Sequence, residues 1–400
     1  MAVLPSPSNT SAPESQGFEA NLDDLFLRFA VGPGRQMSIN TAPLQAQAIQ
    51  TSETPEDFQQ EFGQIFSRTD FAGGSGLDKA HKRNAGPNDF QRYWDSKGID
   101  VFSGKEVGQE YKVSLLHDTD EVQSTTETNL YMQELGGSIF FADGDVLKRV
   151  DSPLDASPTV TSETAPSAGN DITGMAVLGT RLYLVANGDV YVRTAASTYS
   201  VHNNHKTYSK IWSMKGRIVA SDTSGDLFEI PDGSTPTTMK TLPTGTEWTD
   251  LADGGAVVLA CASDGYIYSF ADESSTLTLK GQTFIEGEVP NAIDAAQGLI
   301  FYGTYQNTAS GKIGRLYVAE ITNANSLYVL VNAQLLKQWG DGTTTLNQAP
   351  YQIISTRDSI YTGIVDSASK TNLWRYYLPT GGIARDVEFG ESGIVEGIAV

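Results

Sequence analysis

The chain has a single cysteine among its 400 residues. With only Cys261, no intrachain disulfide can form, which excludes a disulfide-stapled scaffold. Its setting, Ala256-Val-Val-Leu-Ala-Cys-Ala262, is apolar and points to a buried small residue rather than a reactive thiol. Charge is also scarce, at 19%, below the roughly 25% of an average protein. Basic residues are the scarcer sign: 27 Lys and Arg stand against 48 Asp and Glu, a net charge of −21. Such a surface repels phosphate, so nucleic acid and anionic membranes are disfavoured partners. No apolar run approaches the roughly 18 residues of a membrane span, so none is expected. The opening Met1-Ala-Val-Leu-Pro-Ser-Pro-Ser8 lacks the basic and apolar regions of a secretory signal. The product is expected to start its life in a cytoplasm.

Catalytic and metal-binding patterns are equally thin. The four histidines are His81, His117, His202 and His205. Only His202-Asn-Asn-His205 nears metal-ligand spacing; without a third ligand it reads as a solvent-exposed loop between units. Asp143-Gly-Asp145, Asn187-Gly-Asp189, Asp222 to Asp226, Asp264-Gly265 and Asp341-Gly342 lack the dense ligand string of a calcium loop and read as turns. No Gly-x-Ser-x-Gly elbow occurs. Gly73-Gly-Ser-Gly76 lacks the Gly-Lys-Ser/Thr ending of a phosphate loop and reads as a structural turn. Among 48 acids no glycosidase pair stands out. No catalytic, cofactor-binding or metal residue is therefore assigned, and the chain is expected not to be an enzyme.

Glycine is abundant, at 39 residues, and the chain is 39% hydrophobic, so a large turn-rich core is expected. Residues 1–54 are polar and rich in Pro, Ser, Thr and Gln, and are read as an extended arm. Residues 55–110 are read as a small helix and loop docking segment. There Phe58, Phe62, Ile65 and Phe66 share one helical face after the Thr54-Pro55 start. From residue 111 to residue 400 strand patterns dominate.

After Asn129 a unit recurs, read as three strands separated by Gly or Asp turns. Its anchors are Gly137, Gly179, Gly216, Gly255 and Gly298, spaced 42, 37, 39 and 43 residues apart. The step to the sixth anchor, Asp358, is 60 residues, which leaves room for an insertion between Ala319 and Gln348. Several strands in a period of about 40–45 residues are the signature of propeller blades. One small sheet cannot bury both faces alone, so neighbours stack and bury each other. The fold expected is mainly β: a β-propeller of six or seven blades behind an extended, partly helical N-terminal arm. No Trp-Asp signature recurs. The terminal Gly393-Ile-Val-Glu-Gly-Ile-Ala-Val400 resembles Ile172-Thr-Gly-Met-Ala-Val177. It either closes the first blade or opens one continued beyond Val400. The aromatic clusters Tyr93-Trp94 and Trp374, Tyr376, Tyr377 are expected to pack between sheets, with sugar-binding platforms as the rival reading.

The stretch Phe66-Ser-Arg-Thr-Asp-Phe-Ala-Gly-Gly-Ser-Gly76, followed by Tyr93-Trp-Asp-Ser-Lys-Gly-Ile-Asp-Val101, resembles the start of tailed-bacteriophage tail or baseplate structural proteins. The resemblance covers about 40 residues and the order of parts. It implies a structural virion component, made in a bacterial host cytoplasm, with other tail proteins and further copies of itself as partners. It brings no catalytic residues and no cofactor. The alternatives are a propeller adhesin that binds a host-surface glycan, and a propeller-based polysaccharide-degrading enzyme.

Overall fold

The computed structural model describes residues 131–153, 155, 157–273, 276–340, 348–367 and 370–389, with short strands between Gly17 and Gln109. Residues 131–389 form a six-bladed β-propeller. Blade one comprises the strands Met132–Leu135, Ser138–Asp143, Val146–Asp151 and Thr159–Thr164. Blade two comprises Ile172–Leu178, Arg181–Ala186, Asp189–Ala195 and Thr198–Asn203. Blade three comprises Tyr208–Met214, Arg217–Asp222, Asp226–Ile230 and Thr237–Thr241. Blade four comprises Trp248–Asp253, Val257–Ala262, Tyr266–Glu273 and Thr276–Phe284. Blade five comprises Val289–Ala296, Leu299–Asn307, Lys312–Ala324 and Leu327–Trp339. Blade six comprises Ile353–Ser355, Ser359–Ser367, Lys370–Tyr377 and Gly382–Phe389. Each is an antiparallel meander whose first strand lines the centre of the ring.

The blade count settles at six. Each unit has four strands, one more than the sequence pattern suggested. The anchor glycines lie in the hairpin turns between the first and second strands, and all five take positive φ, from 61° to 81°. The strand without a counterpart in the three-strand pattern is the outer one, such as Thr159–Thr164 in blade one and Thr237–Thr241 in blade three. Blade one draws all four strands from one contiguous segment, so it needs no strand from the chain's end. Gly393–Val400 lies outside the described residues.

Stacking proceeds as one-sided hydrophobicity demands. Five clusters fill five successive inter-blade gaps. Leu147 of blade one meets Leu182 of blade two; Tyr183 of blade two meets Phe228 of blade three. Trp248 and Phe270 of blade four meet Leu227 of blade three. Cys261 is fully buried between blades four and five, and burial pushes its thiol pKa well up. Trp374 and Tyr376 pack between blades five and six, the first edge-on to Trp339 at 5.7 Å and the second against Phe301 at 5.6 Å.

The insertion is a lengthened outer hairpin. The strands Lys312–Ala324 and Leu327–Trp339 run 13 residues each. The hairpin leans over blade four, where the Tyr328 backbone lies against Gly281 and Leu330 N–H donates to Thr283 Oγ1 at 2.9 Å. The chain then returns along blade five, with Gln348 against Gly314 and Pro350 against Gly303.

Before the propeller, Gly17–Leu22, Leu25–Gly32, Gln36–Ala42 and Ile65–Arg68 pair in that order as one antiparallel sheet. Ile65 and Phe66 are thus in a strand rather than the expected helix, because pairing with Ile39 and Asn40 outweighs the local helical pattern. The rest of that expected helix, and most of the expected arm, lie outside the described residues. Gly74–Ser75 is a short strand rather than a turn, pairing in parallel with Arg92–Tyr93. Leu77–Asp78 adds a fifth strand to blade five by pairing with Leu335 and Gln334.

Candidate functional site

A concave feature formed by the described residues is the channel along the ring axis. Two overlapping cavities of 460 Å³ and 520 Å³ occupy it. Residues of all six inner strands or the segments leading into them line it, including Gln133, Met175, Trp212, Asp250, Asp294 and Gln352. Lys210 and Glu247 stand at the mouth where the inner strands begin.

The inner strands of blades two to five share one irregularity. Register shifts fall at Ile172/Gly174, Tyr208/Lys210, Trp248/Asp250 and Pro290/Ala292. A bulge leaves one residue unpaired and re-aims its side chain. The residues so placed are Thr173, Ser209, Thr249 and Asn291, all polar. Thr249 Oγ1 donates to Pro290 O at 3.0 Å, and Asn291 Nδ2 donates to Pro350 O at 2.7 Å. Each bond fastens a blade to the start of the next. Lys210 does the same from the following position: its ammonium donates to Trp248 O at 3.0 Å and pairs with Glu247 Oε2 at 3.4 Å.

The acids of the channel are committed to the ring. Asp250 Oδ2 accepts Ile293 N–H of blade five at 3.0 Å. Its Oδ1 accepts Leu251 N–H at 2.8 Å and the Trp212 indole N–H of blade three at 3.3 Å. Asp250 therefore ties three blades together. Burial in the channel wall pushes its pKa up to about 7, helped by the Asp294 charge and opposed by those three hydrogen bonds. Asp294 repeats the device one blade on, accepting Ser355 N–H of blade six at 2.6 Å and Ala295 N–H at 2.8 Å. Glu134 Oε1 accepts Gly137 N–H at 2.7 Å.

Turn chemistry fastens successive blades. Gly144 O accepts Ile172 N–H at 2.9 Å, and Gly188 O accepts Tyr208 N–H at 2.8 Å. Asp222 Oδ1 accepts Ser224 N–H and Asp226 N–H, both at 2.9 Å, and Asp264 Oδ1 accepts Tyr266 N–H at 3.1 Å. These are side-chain turn bonds of the kind the Asp-Gly pattern indicated. Further out, Glu163 of blade one is held by Arg193 of blade two through two bonds of 2.7 Å, and by Ser197 N–H at 3.2 Å. Burial raises the Glu163 pKa, but these bonds and the charges of Arg193 and Arg149 outweigh it and leave the carboxyl below its usual value.

His202 departs from expectation. It is 8% exposed, on the outer strand of blade two, edge-on to Tyr183 at 5.0 Å with Nδ1 3.4 Å from Asp232. His205 is exposed, and its N–H donates to Asn203 Oδ1. Asn203, 1% exposed, organises this junction by donating to Pro231 O and Ser234 O and accepting from the Tyr208 hydroxyl at 2.7 Å. Sequence reasoning missed Asp250 and Asp294, since a single polar residue in an inner strand carries no repeating signature, and Asn203, which closes an outer strand. His81, His117 and Trp94 lie outside the described residues.

One aromatic row reaches the surface. Trp248, Tyr268, Tyr266 and Phe284 contact in series at ring distances of 5.3, 5.8 and 5.0 Å, and Phe284 is 57% exposed.

No family model matches the chain, and no curated protein matches it. Solved structures resemble its backbone. A chain of the crystal structure of the mitotic checkpoint complex is 11% identical, with TM-score 0.48 over 71% of this chain and 91% of its own. The β-propeller domain of Cps50 (Swd1) from Myceliophteria thermophila is 12% identical, with TM-score 0.49 over 70% and 91%. The extracellular domain of a putative one-component system from B. thetaiotaomicron is 15% identical, with TM-score 0.44 over 61% and 33%. At such identities the likeness concerns backbone shape, not chemistry.

Proposed function

We propose that the chain is a non-enzymatic structural protein of a phage tail or baseplate, built to hold its shape within an assembly. The observation that carries this reading is the use of the channel acids: Asp250, Asp294 and Glu134 all accept backbone N–H groups. Asp250 and Asp294 thereby brace the ring where an enzyme would present reacting groups, and Glu134 fixes the hairpin turn of its own blade. The resemblance of residues 66–101 supports the virion assignment, and Leu77–Asp78 within it joins blade five directly. The N-terminal residues dock onto neighbouring tail subunits and further copies of this chain. The test is sedimentation of particles from cells making a tagged chain, combined with limited trypsin digestion. The chain should travel with tail particles, and residues 1–60 should be cut in the free chain and protected in the particle. A chain found only in the free fraction, or equally protected when free, overturns the reading.

The row ending at Phe284 favours a second reading, a glycan-recognising adhesin, because an exposed ring beside Tyr266 offers a face for sugar stacking. A glycan array on which Phe284→Ala loses the binding of the parent chain would support it; no binding by the parent would remove it.

A further inference from the structure

The apolar seam between blades five and six has polar atoms set into it. In blade six, Asn372 stands opposite Ile364 and Trp374 opposite Thr362. Directly opposed residues share a face of the sheet, and Ile364 packs against blade five. Asn372 and Trp374, two residues apart on one strand, therefore look the same way, toward blade five. Asn372 is fully buried. Neither its Oδ1 nor its Nδ2 has a hydrogen-bond partner among the described residues, and the same holds for the buried Nε1 of Trp374.

Blade five answers in kind. Trp339 is buried, meets Trp374 edge-on, and carries a buried Nε1 that is also without a partner among the described residues. Gln348 extends the row. Its backbone carbonyl lies against Gly314, which pairs with Trp339. Its Oε1 occupies the space a Cβ on Gly340 would take, next to Trp339 in the chain, and it too lacks a partner among the described residues. Folded interiors seldom leave such groups unmet, because each has given up its bonds to solvent.

The inventory of donors and acceptors names the class of ligand that meets them. The two indoles and the Asn372 amide offer N–H groups; Asn372 Oδ1 and Gln348 Oε1 offer lone pairs. Turning the Asn372 amide over exchanges its oxygen and nitrogen without changing this balance. An anion would take the N–H groups and be repelled by both amide oxygens. A cation would take the oxygens and leave the indoles unmet, and the buried Lys337, with Nζ 4.8 Å from the Trp374 ring centre, already places positive charge beside them. A neutral ligand that both donates and accepts satisfies the whole set. Close packing favours the smallest such ligand, since Ile364 and Leu316 of the same seam are almost wholly buried.

We propose that this seam is a hydration site, in which ordered water held by Asn372 bridges its amide to the indole N–H groups of Trp374 and Trp339 and to Gln348 Oε1. Water in such a place makes about three hydrogen bonds and is costly to remove. It completes the joint between blades five and six as a built part of the ring.

The experiment is oxygen-17 relaxation dispersion of water on the full-length chain and its Asn372→Leu variant, which keeps the side-chain volume and removes the polar atoms. The amplitude from long-lived internal water should fall by at least about one molecule per chain in the variant. Equal amplitudes overturn the proposal, as does a variant that melts at a higher temperature with its amplitude unchanged, the mark of a dry seam. Trp374→Phe keeps a ring and removes only the N–H, and its amplitude should fall as well. Should Asn372→Leu fail to fold, Trp374→Phe decides, and an unchanged amplitude there overturns the proposal. Native mass spectrometry separates water from a larger occupant: a small organic molecule retained by the parent chain and lost from Asn372→Leu overturns the assignment to water.

Discussion

Asp250 shows how one side chain can serve structure and carry a pH response. Its carboxyl binds a proton more tightly in the folded chain than in the unfolded one, where the pKa returns to the ordinary value near 4. Between these values the folded state holds the extra proton, so this group's contribution falls as pH rises from about 4 to about 7. Asp250→Asn abolishes that titration. Thermal melts at several pH values should show a parent-minus-variant difference that shrinks from pH 5 to pH 8. A difference independent of pH would mean that Asp250 does not titrate in this range. Glu163 acts with the opposite sign. Its depressed pKa gives stability that is present at neutral pH and lost as pH falls through the folded value.

Among the elements, the long hairpin of blade five depends on a residue it does not contain. The Tyr328 backbone occupies the space a Cβ on Gly281 would take. Gly281→Ala forces the hairpin away from blade four and should cost about 2 kcal/mol or more. Urea unfolding would measure this, and a loss under about 0.5 kcal/mol would show that the hairpin lifts freely. The hairpin's existence was legible in the sequence as the 60-residue step between Gly298 and Asp358. The second and third strands of each blade were legible too, because runs such as Leu182-Tyr-Leu-Val-Ala186 are buried continuously. The outer strands were not: Thr159–Thr164 and Thr237–Thr241 are mostly polar and partly exposed, so they carry no apolar run to mark them. His202 misled for a related reason: the burial that Tyr183 supplies comes from a distant strand, invisible in the polar run His202 to His205.

Among the described residues of the whole ring, blades one to six form a series of five apolar joints. Interior blades three and four are clasped on both sides by such joints. Blades one and six have one each. Native-state hydrogen exchange should therefore find blades one and six opening at lower free energy than blades three and four. Uniform protection around the ring would show that the sixth seam is as firm as the rest. Asp250 and Asp294 in the channel wall belong to this scale as well, since each ties its own blade to the next.

The hairpin of blade five also gives the disc a heading. Six near-identical blades would look the same to a partner after each sixth of a turn, and an attachment could settle in any of six rotational registers. A single blade that is longer than its neighbours and bent over one of them removes that degeneracy. A protein reading this landmark engages the ring once and in one orientation, which is what a part needs if it must fit an assembly whose rotation about the axis is already set.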